Sequence, residues 1–265
     1  MIQGMPTTKS KQPKPSIDFE EYKRQGEPNR VAKSQIWKTA IGLQQVDGLQ
    51  VSDYLIATAK KNIEDEISID EVEYRINEYY KAKPTKKTDD DRTAEADKVS
   101  TRITKILSND TFSFSPVEYT SIHRQLFNGI YKFAGKIRDY NISKEEWVLN
   151  AKSVLYANAE TIRDMLEYDF QQEKKFDYRG LSKLEAVAHI AKFISGIWQI
   201  HPFGEGNTRT AAVFAIKYLR SFGFEVNNEP FDKNARYFRN ALVRANYNDH
   251  QQGIYATQEY LMKFF

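Results

Sequence analysis

Residues 184–222 read LEAVAHIAKFISGIWQI-HPFGEGNTRT-AAVFAIKYLRSF, and this stretch decides how the chain folds. Its first part is apolar at Val187, Ile190, Ala191, Ile194, Ile197 and Trp198, the spacing of a helix with one broad buried face. The last part, 208–222, is apolar on nearly every side, so it predicts a helix enclosed by other helices. Gly223 supplies its C-terminal stop. Two buried helices joined by ten polar and glycine-rich residues imply a mainly α-helical protein with its chemistry at the joint.

The joint, His201 to Thr210, has a composition with a chemical meaning. Pro202 ends the first helix near His201. Phe203 is an apolar peg that anchors the loop to the core. Gly204 and Gly206 let the backbone bend and leave its N–H groups uncovered. Asn207 suits a helix N-cap, which places Thr208 and Arg209 in the first turn. A helix start with free N–H groups and a neighbouring Arg attracts phosphate. Glu205 beside it suits Mg²⁺, which takes one or two carboxylates together with phosphate oxygens. His201 can take a proton from an attacking hydroxyl. Base, metal ligand and anion cradle together point to phosphoryl or nucleotidyl transfer. On chemistry alone, the same residues equally suit a tight connection between two buried helices.

The rest of the 265-residue chain narrows the class of function. A formal net charge of +3, with both signs interleaved, gives no footprint for nucleic acid. The absence of cysteine removes disulfides and thiol catalysis. With no secretory signal and no apolar run of membrane-spanning length, a soluble, cytoplasmic protein without a membrane partner is expected; delivery as an effector stays open. Residues 1–33 hold four of the eight prolines and read as a flexible arm. Residues 34–84 read as a small helical domain, with a break at Asp47-Gly48, a helix over 52–63 and a capping-box start at Ser68. Residues 85–98 read as a charged linker, and 99–265 as the core domain with helices over 116–132 and 151–168. A short hairpin or loop is expected within 136–149. His123, His189 and His250 fit no metal-ligand spacing and suit packing or surface roles. Asn246 and Tyr247 are candidates for base or ribose contacts, against helix packing as the plainer alternative.

The decapeptide resembles the signature of the Fic family, His-x-Phe-x-(Asp/Glu)-Gly-Asn-(Gly/Lys)-Arg followed by a second Arg three residues on. His201, Phe203, Glu205, Gly206, Asn207 and Arg209 match it. Tyr131 to Arg138, YKFAGKIR, resembles the Trp-Ala-Gly-x-x-Arg stretch before the family's flap, and Ile142 to Lys144 is similar to its continuation. The resemblance spans about residues 99–250. It implies a Fic-type helical bundle with a small β-hairpin flap, transferring AMP from Mg-ATP to a Tyr, Thr or Ser hydroxyl of a target protein. By position, His201 would be the base, Glu205 would hold Mg²⁺, and Gly204, Gly206, Asn207, Thr208 and Arg209 would cradle phosphates. The flap, 141–149, would hold the target segment by strand addition.

Two departures bear on the donor. Thr208 stands where Gly or Lys is usual, and Ala212 where the second Arg is usual. Transfer of a different phosphate-containing group, or a binding role on the same scaffold, are the alternatives they open. Arg220, Arg236, Arg239 and Arg244 are the downstream arginines able to replace the missing one. The N-terminal helices resemble a fused antitoxin-like inhibitory domain, in which Leu43-Gln-Gln-Val-Asp47-Gly48 occupies the place of Ser/Thr-x-x-x-Glu-Gly. With both ends of the usual ion pair changed, the resemblance implies a docked N-terminal domain that inhibits weakly or by another contact, with Asp47 as the inhibitory residue.

Overall fold

The computed structural model describes residues 28–83, 88–223, 230–231 and 234–265. At its centre are the two helices expected from the opening stretch, α7 (Lys183–Ile200) and α8 (Asn207–Ser221). A capping box starts α7: Ser182 accepts from the Glu185 amide while the Glu185 carboxylate accepts from the Ser182 amide. Its stripe Ile190, Ala191, Ile194, Ile197 and Trp198 is buried, as the periodicity predicts. Every residue of α8 from Asn207 to Tyr218 is buried, which is what a helix apolar all round requires.

Around this pair lie α4 (Thr88–Leu107), α5 (Pro116–Phe127), α6 (Ile162–Lys175), α9 (Ala235–Ala245) and the short α10 (Glu259–Phe264). Aromatic rings from four segments interlock in the core: Phe114, Tyr119, Phe170, Phe193 and Phe214 lie at centroid separations of 5.0–6.4 Å. The N-terminal unit consists of α1 (Pro28–Gly42), a 3₁₀ turn (Leu43–Asp47), α2 (Asp53–Ile63) and α3 (Ile69–Lys81). Ser52 and Ser68 cap α2 and α3 by accepting from Leu55 and Glu71 amides, as their sequence spacing predicts.

That unit has its own small core of Trp37, Ile41, Leu55, Ala59, Ile63, Val72 and Ile76. The other face of α1 and its 3₁₀ extension, through Ala40, Leu43 and Val46, is part of the main core. Burying side chains such as Leu43 and Val46 is worth roughly 1.5–3 kcal/mol each. The segment that ends in Asp47 is therefore fixed to the body of the protein by apolar packing as well as by charge.

Several sequence expectations are revised. Of the arm, residues 1–27 lie outside the described residues, and α1 begins at Pro28, where a proline is favoured in the first helical turn. Of the linker, 84–87 lie outside the described residues, and from Thr88 the chain is helical. Its charged face misled: Ala96 and Asp97 are fully buried, and Asp97 accepts from the Ser52 amide, the Ser52 hydroxyl and the Tyr80 hydroxyl. The helix expected over 151–168 starts only at Ile162 and runs to Lys175. Before it, Val154 and Tyr156 are buried while Leu155 is exposed, the period of an extended strand. The flap is an extended strap; among the described residues its pairing is one antiparallel bridge, Glu146 to Lys152, around a 3₁₀ turn at Trp147–Leu149.

Candidate active site

The loop between α7 and α8 is held from several sides. His201 ends α7 in the left-handed region, φ 50° and ψ 59°. Arg138 fixes it there by donating to the carbonyls of His201 (2.8 Å) and Tyr140 (2.6 Å), and its own amide donates to Pro202 at 2.9 Å. Phe203 is fully buried and stacks on the His123 ring at 3.7 Å, so it is the anchor its position suggests. Asn207 makes a two-way clasp with Phe203: its carbonyl accepts from the Phe203 amide (3.0 Å) and its amide donates to the Phe203 carbonyl (2.7 Å). The expected N-cap role therefore passes to Gly206, at φ 80°, with Asn207 as the first helical residue. A Cβ on Gly206 would stand 2.4 Å from the Phe127 ring, and one on Gly204 would stand 2.7 Å from the Tyr140 hydroxyl. At Gly206, buried against the Phe127 ring and at positive φ, there is no room for a side chain, whereas at Gly204 the exposed Tyr140 hydroxyl would have to shift.

The His201 ring lies against Tyr156 (4.2 Å) and Trp198 (5.4 Å). Its Nδ1 is 3.3 Å from the Trp198 carbonyl, which makes Nδ1 the protonated nitrogen and leaves the lone pair on Nε2. Burial holds its pKa well below the ordinary histidine value, helped by the positive charges of Lys144, Arg239 and Arg138 and opposed by the Trp198 contact. His201 is therefore neutral at pH 7, the form a general base needs.

Glu205 is more than half exposed, and its carboxylate is paired with Lys144 of the flap strap at 2.9 Å. Among the described residues no cluster of three or more His, Cys, Asp or Glu could hold a metal by itself. A single exposed carboxylate does fit Mg²⁺ arriving on a polyphosphate, whose oxygens and waters complete the shell. Thr208 turns inward: its hydroxyl accepts from the Trp198 indole at 3.0 Å, which gives the departure at 208 a physical cause.

Arg209 is placed where the sequence gave no hint. Its guanidinium is buried, lies 4.8 Å over the Phe127 ring, and donates to Gln44 (3.1 Å), Glu95 (2.6 Å) and Tyr131 (3.3 Å). Its Nε is 2.8 Å from Asp47. Burial lowers its pKa and the negative charges of Asp47 and Glu95 more than reverse this, leaving it raised. Asp47 also accepts from Arg239 of α9 at 3.0 Å, while Arg92 donates to the Asp47 backbone carbonyl at 2.8 Å. Asp47, Arg92 and Arg209 border a cavity of about 340 Å³, lined also by Leu49, Glu95, Tyr131 and Glu205. So the structure brings His201, the 203–209 loop and Asp47 into one region. Asn246 and Tyr247 are spent elsewhere: Asn246 donates to the Ser195 and Leu242 carbonyls, and the Tyr247 hydroxyl is 3.3 Å from Asp249.

His123 has a definite positioning task. Its Nδ1 accepts from the Gly135 amide (2.8 Å) and its Nε2 donates to the Glu205 carbonyl (3.0 Å), tying the motif loop to the 131–138 segment. Burial pushes its pKa down to about 4, with the Glu205 hydrogen bond opposing. The folded value lies below the unfolded value near 6.5, so the unfolded chain binds more protons in acid. The stabilisation is complete above about pH 6.5 and is lost as pH falls toward 4, on the order of 3 kcal/mol. In urea melts between pH 7 and pH 4, His123→Asn is expected to lose that much less stability than the parent. An equal pH dependence in the two proteins would contradict this.

A helical bundle thus gathers a neutral histidine, a carboxylate and an arginine at the start of a buried helix. Residues 113–219 match the model of the Fic/DOC family. Protein adenylyltransferase VbhT of Bartonella schoenbuchensis is 29% identical over 106 residues, 40% of this chain and 21% of that protein. Probable protein adenylyltransferase y4lH of Sinorhizobium fredii is 29% identical over 132 residues, 48% of this chain and 62% of that one. A protein adenylyltransferase of Bartonella henselae is 27% identical over 115 residues. The chain thus matches about a fifth of the length of the two Bartonella proteins and about three-fifths of the Sinorhizobium one. The crystal structure of the N-terminal FIC domain of Bep8, a VirB-translocated effector of Bartonella sp. 1-1C, superposes with a TM-score of 0.51 at 18% identity. That likeness covers 68% of this chain and 85% of the Bep8 chain, and it establishes the fold. Among the described residues no helix is long and apolar enough to cross a membrane.

Proposed function

We propose that this protein transfers AMP from Mg-ATP to a hydroxyl side chain of a target protein and is held in check by Asp47. The observation that carries the reading is His201: a buried, neutral imidazole with its Nδ1 directed at the Trp198 carbonyl, four residues before the carboxylate of Glu205. In the reaction, His201 Nε2 takes the proton of the target hydroxyl as that oxygen bonds to the α-phosphorus. The bond from the α-phosphorus to the bridging oxygen breaks, and pyrophosphate leaves with the electron pair. Glu205, released from Lys144, would hold the Mg²⁺, which neutralises phosphate charge. The amides at the start of α8 lack intrahelical acceptors and face the developing charge. Trp147 is 67% exposed at the tip of the flap strap, and supports docking of the target segment there.

Asp47 and Glu95 line the cavity beside Arg209, so phosphate enters only when Asp47 gives way. Of the two expected modes, weak inhibition or inhibition by another contact, the second is supported by Asp47 reaching both Arg209 and Arg239. The test uses the full chain and its Asp47→Ala variant with Mg²⁺, a cell lysate, and ATP labelled at the α- or the γ-phosphate. Protein label from the α-position alone is the expected result. Label from the γ-position alone would make the protein a kinase, and label from neither would end the ATP reading.

A further inference from the structure

Asp47 is a two-oxygen anion seated between two guanidinium groups that come from distant parts of the chain. Oδ2 lies 2.8 Å from Arg209 Nε, and Oδ1 accepts from Arg239 at 3.0 Å. Arg239 stands on α9, outside the 201–210 loop, and its positive charge reaches His201. Its other side is gripped by Glu146, whose two oxygens lie 3.2 and 3.3 Å from its nitrogens. Glu146 is itself nearly sealed from solvent, accepts from the Tyr156 hydroxyl at 3.2 Å, and forms the bridge of the flap strap with Lys152. The guanidinium is therefore aimed from behind, with one edge directed at whatever anion occupies the Asp47 position.

A group that displaces Asp47 inherits both guanidiniums. Its chemistry follows from theirs: planar, permanently charged forks bind phosphate oxygens well. Ala212 is fully buried in the core, so the position three residues after Arg209 contributes no charge. We propose that Arg239 is the second phosphate-binding arginine of this site, receiving the phosphates of the donor beyond the first, with Glu146 as its positioning residue. This rests on the reading of the site as one for a nucleoside polyphosphate. The arrangement also joins donor to target, because the side chain that orients Arg239 belongs to the strap on which the target segment would dock.

The test is equilibrium binding of Mg-ATP and of AMP, by calorimetry, to full-length Asp47→Ala and to the Asp47→Ala/Arg239→Gln double variant. Gln keeps a donor for Glu146, and thermal melts confirm that both proteins fold. Arg239→Gln is expected to weaken ATP binding roughly 10- to 100-fold, the worth of a charge-assisted hydrogen bond, and to leave AMP binding unchanged. Glu146→Gln in the Asp47→Ala background keeps Arg239 but loosens it, and is expected to give a smaller loss of the same selectivity. ATP and AMP affinities that stay unchanged in the double variant, or fall equally, overturn the role of Arg239 while leaving nucleotide binding in place. An Asp47→Ala protein that binds neither nucleotide overturns the phosphate reading of the whole site, and this role with it.

Discussion

His201→Ala, made in the Asp47→Ala background, is expected to lower transfer of the α-labelled group roughly 10²–10⁴-fold while leaving ATP affinity unchanged. The separation follows from what each group touches. In the proposed reaction the imidazole handles only the proton of the attacking hydroxyl, whereas phosphate is met by the loop amides and arginines. Loss of the ring should not unravel the site, because Arg138 holds the His201 carbonyl and the Phe203–Asn207 clasp holds the loop. Alanine at φ 50° bears the same kind of left-handed backbone cost, about 1–2 kcal/mol, that His201 already carries, so the substitution adds little to it. His201→Asn, better suited to left-handed backbone, separates that cost from the chemistry: it should be as inactive as His201→Ala but melt higher. Residual transfer within about tenfold of the parent would remove His201 from the role of base.

Local regularities were readable in the sequence, and long-range charge was not. Periodicity and caps placed α2, α3, α7 and α8 within a few residues, because apolar spacing and Ser-x-x-Glu are local signals. Phe203 and the glycines at 204 and 206 were also legible, since peg and tight turn are properties of the decapeptide itself. What failed did so for tertiary reasons. Glu95 sat in a stretch so charged that it read as a linker, yet its carboxylate meets Arg209 across 114 residues. Asp47 reads as the inhibitory residue, but its partner has no sequence signal because the usual partner position holds Ala212. The actual second partner, Arg239, is 192 residues away and was one of four arginines between which the sequence gave no choice. Thr208, in place of the usual Gly or Lys, has a partner ten residues back that no local signal reveals: the Trp198 indole donates to its hydroxyl.

Asp47→Ala is expected to raise both ATP affinity and transfer at low ATP roughly 10- to 100-fold. The magnitude comes from the contacts removed. The bond to Arg239 is a sound charge-assisted hydrogen bond, worth about 1.5–3 kcal/mol. The contact with Arg209 is close but poorly aligned: Asp47 Oδ2 and Arg209 Nε are both buried without a proper hydrogen bond. It therefore adds less than a second full bond. A nucleotide that binds only when Asp47 is displaced has its affinity reduced by the fraction of molecules in that state, and removing the carboxylate lifts this restriction. Leu43, Val46 and Leu49 stay buried on either side, so the segment remains docked and the gain reflects lost charge rather than detachment of the N-terminal helices. Glu95 still holds Arg209 from the other side, which keeps the gain below complete release. The same substitution leaves a buried guanidinium with one carboxylate fewer, so the melting temperature should fall as activity rises. Asp47→Asn, similar in shape but uncharged, should fall between parent and Ala in affinity. If ATP affinity and transfer in Asp47→Ala match the parent while the melting temperature drops, Asp47 is a structural ion-pair partner and no brake on the site.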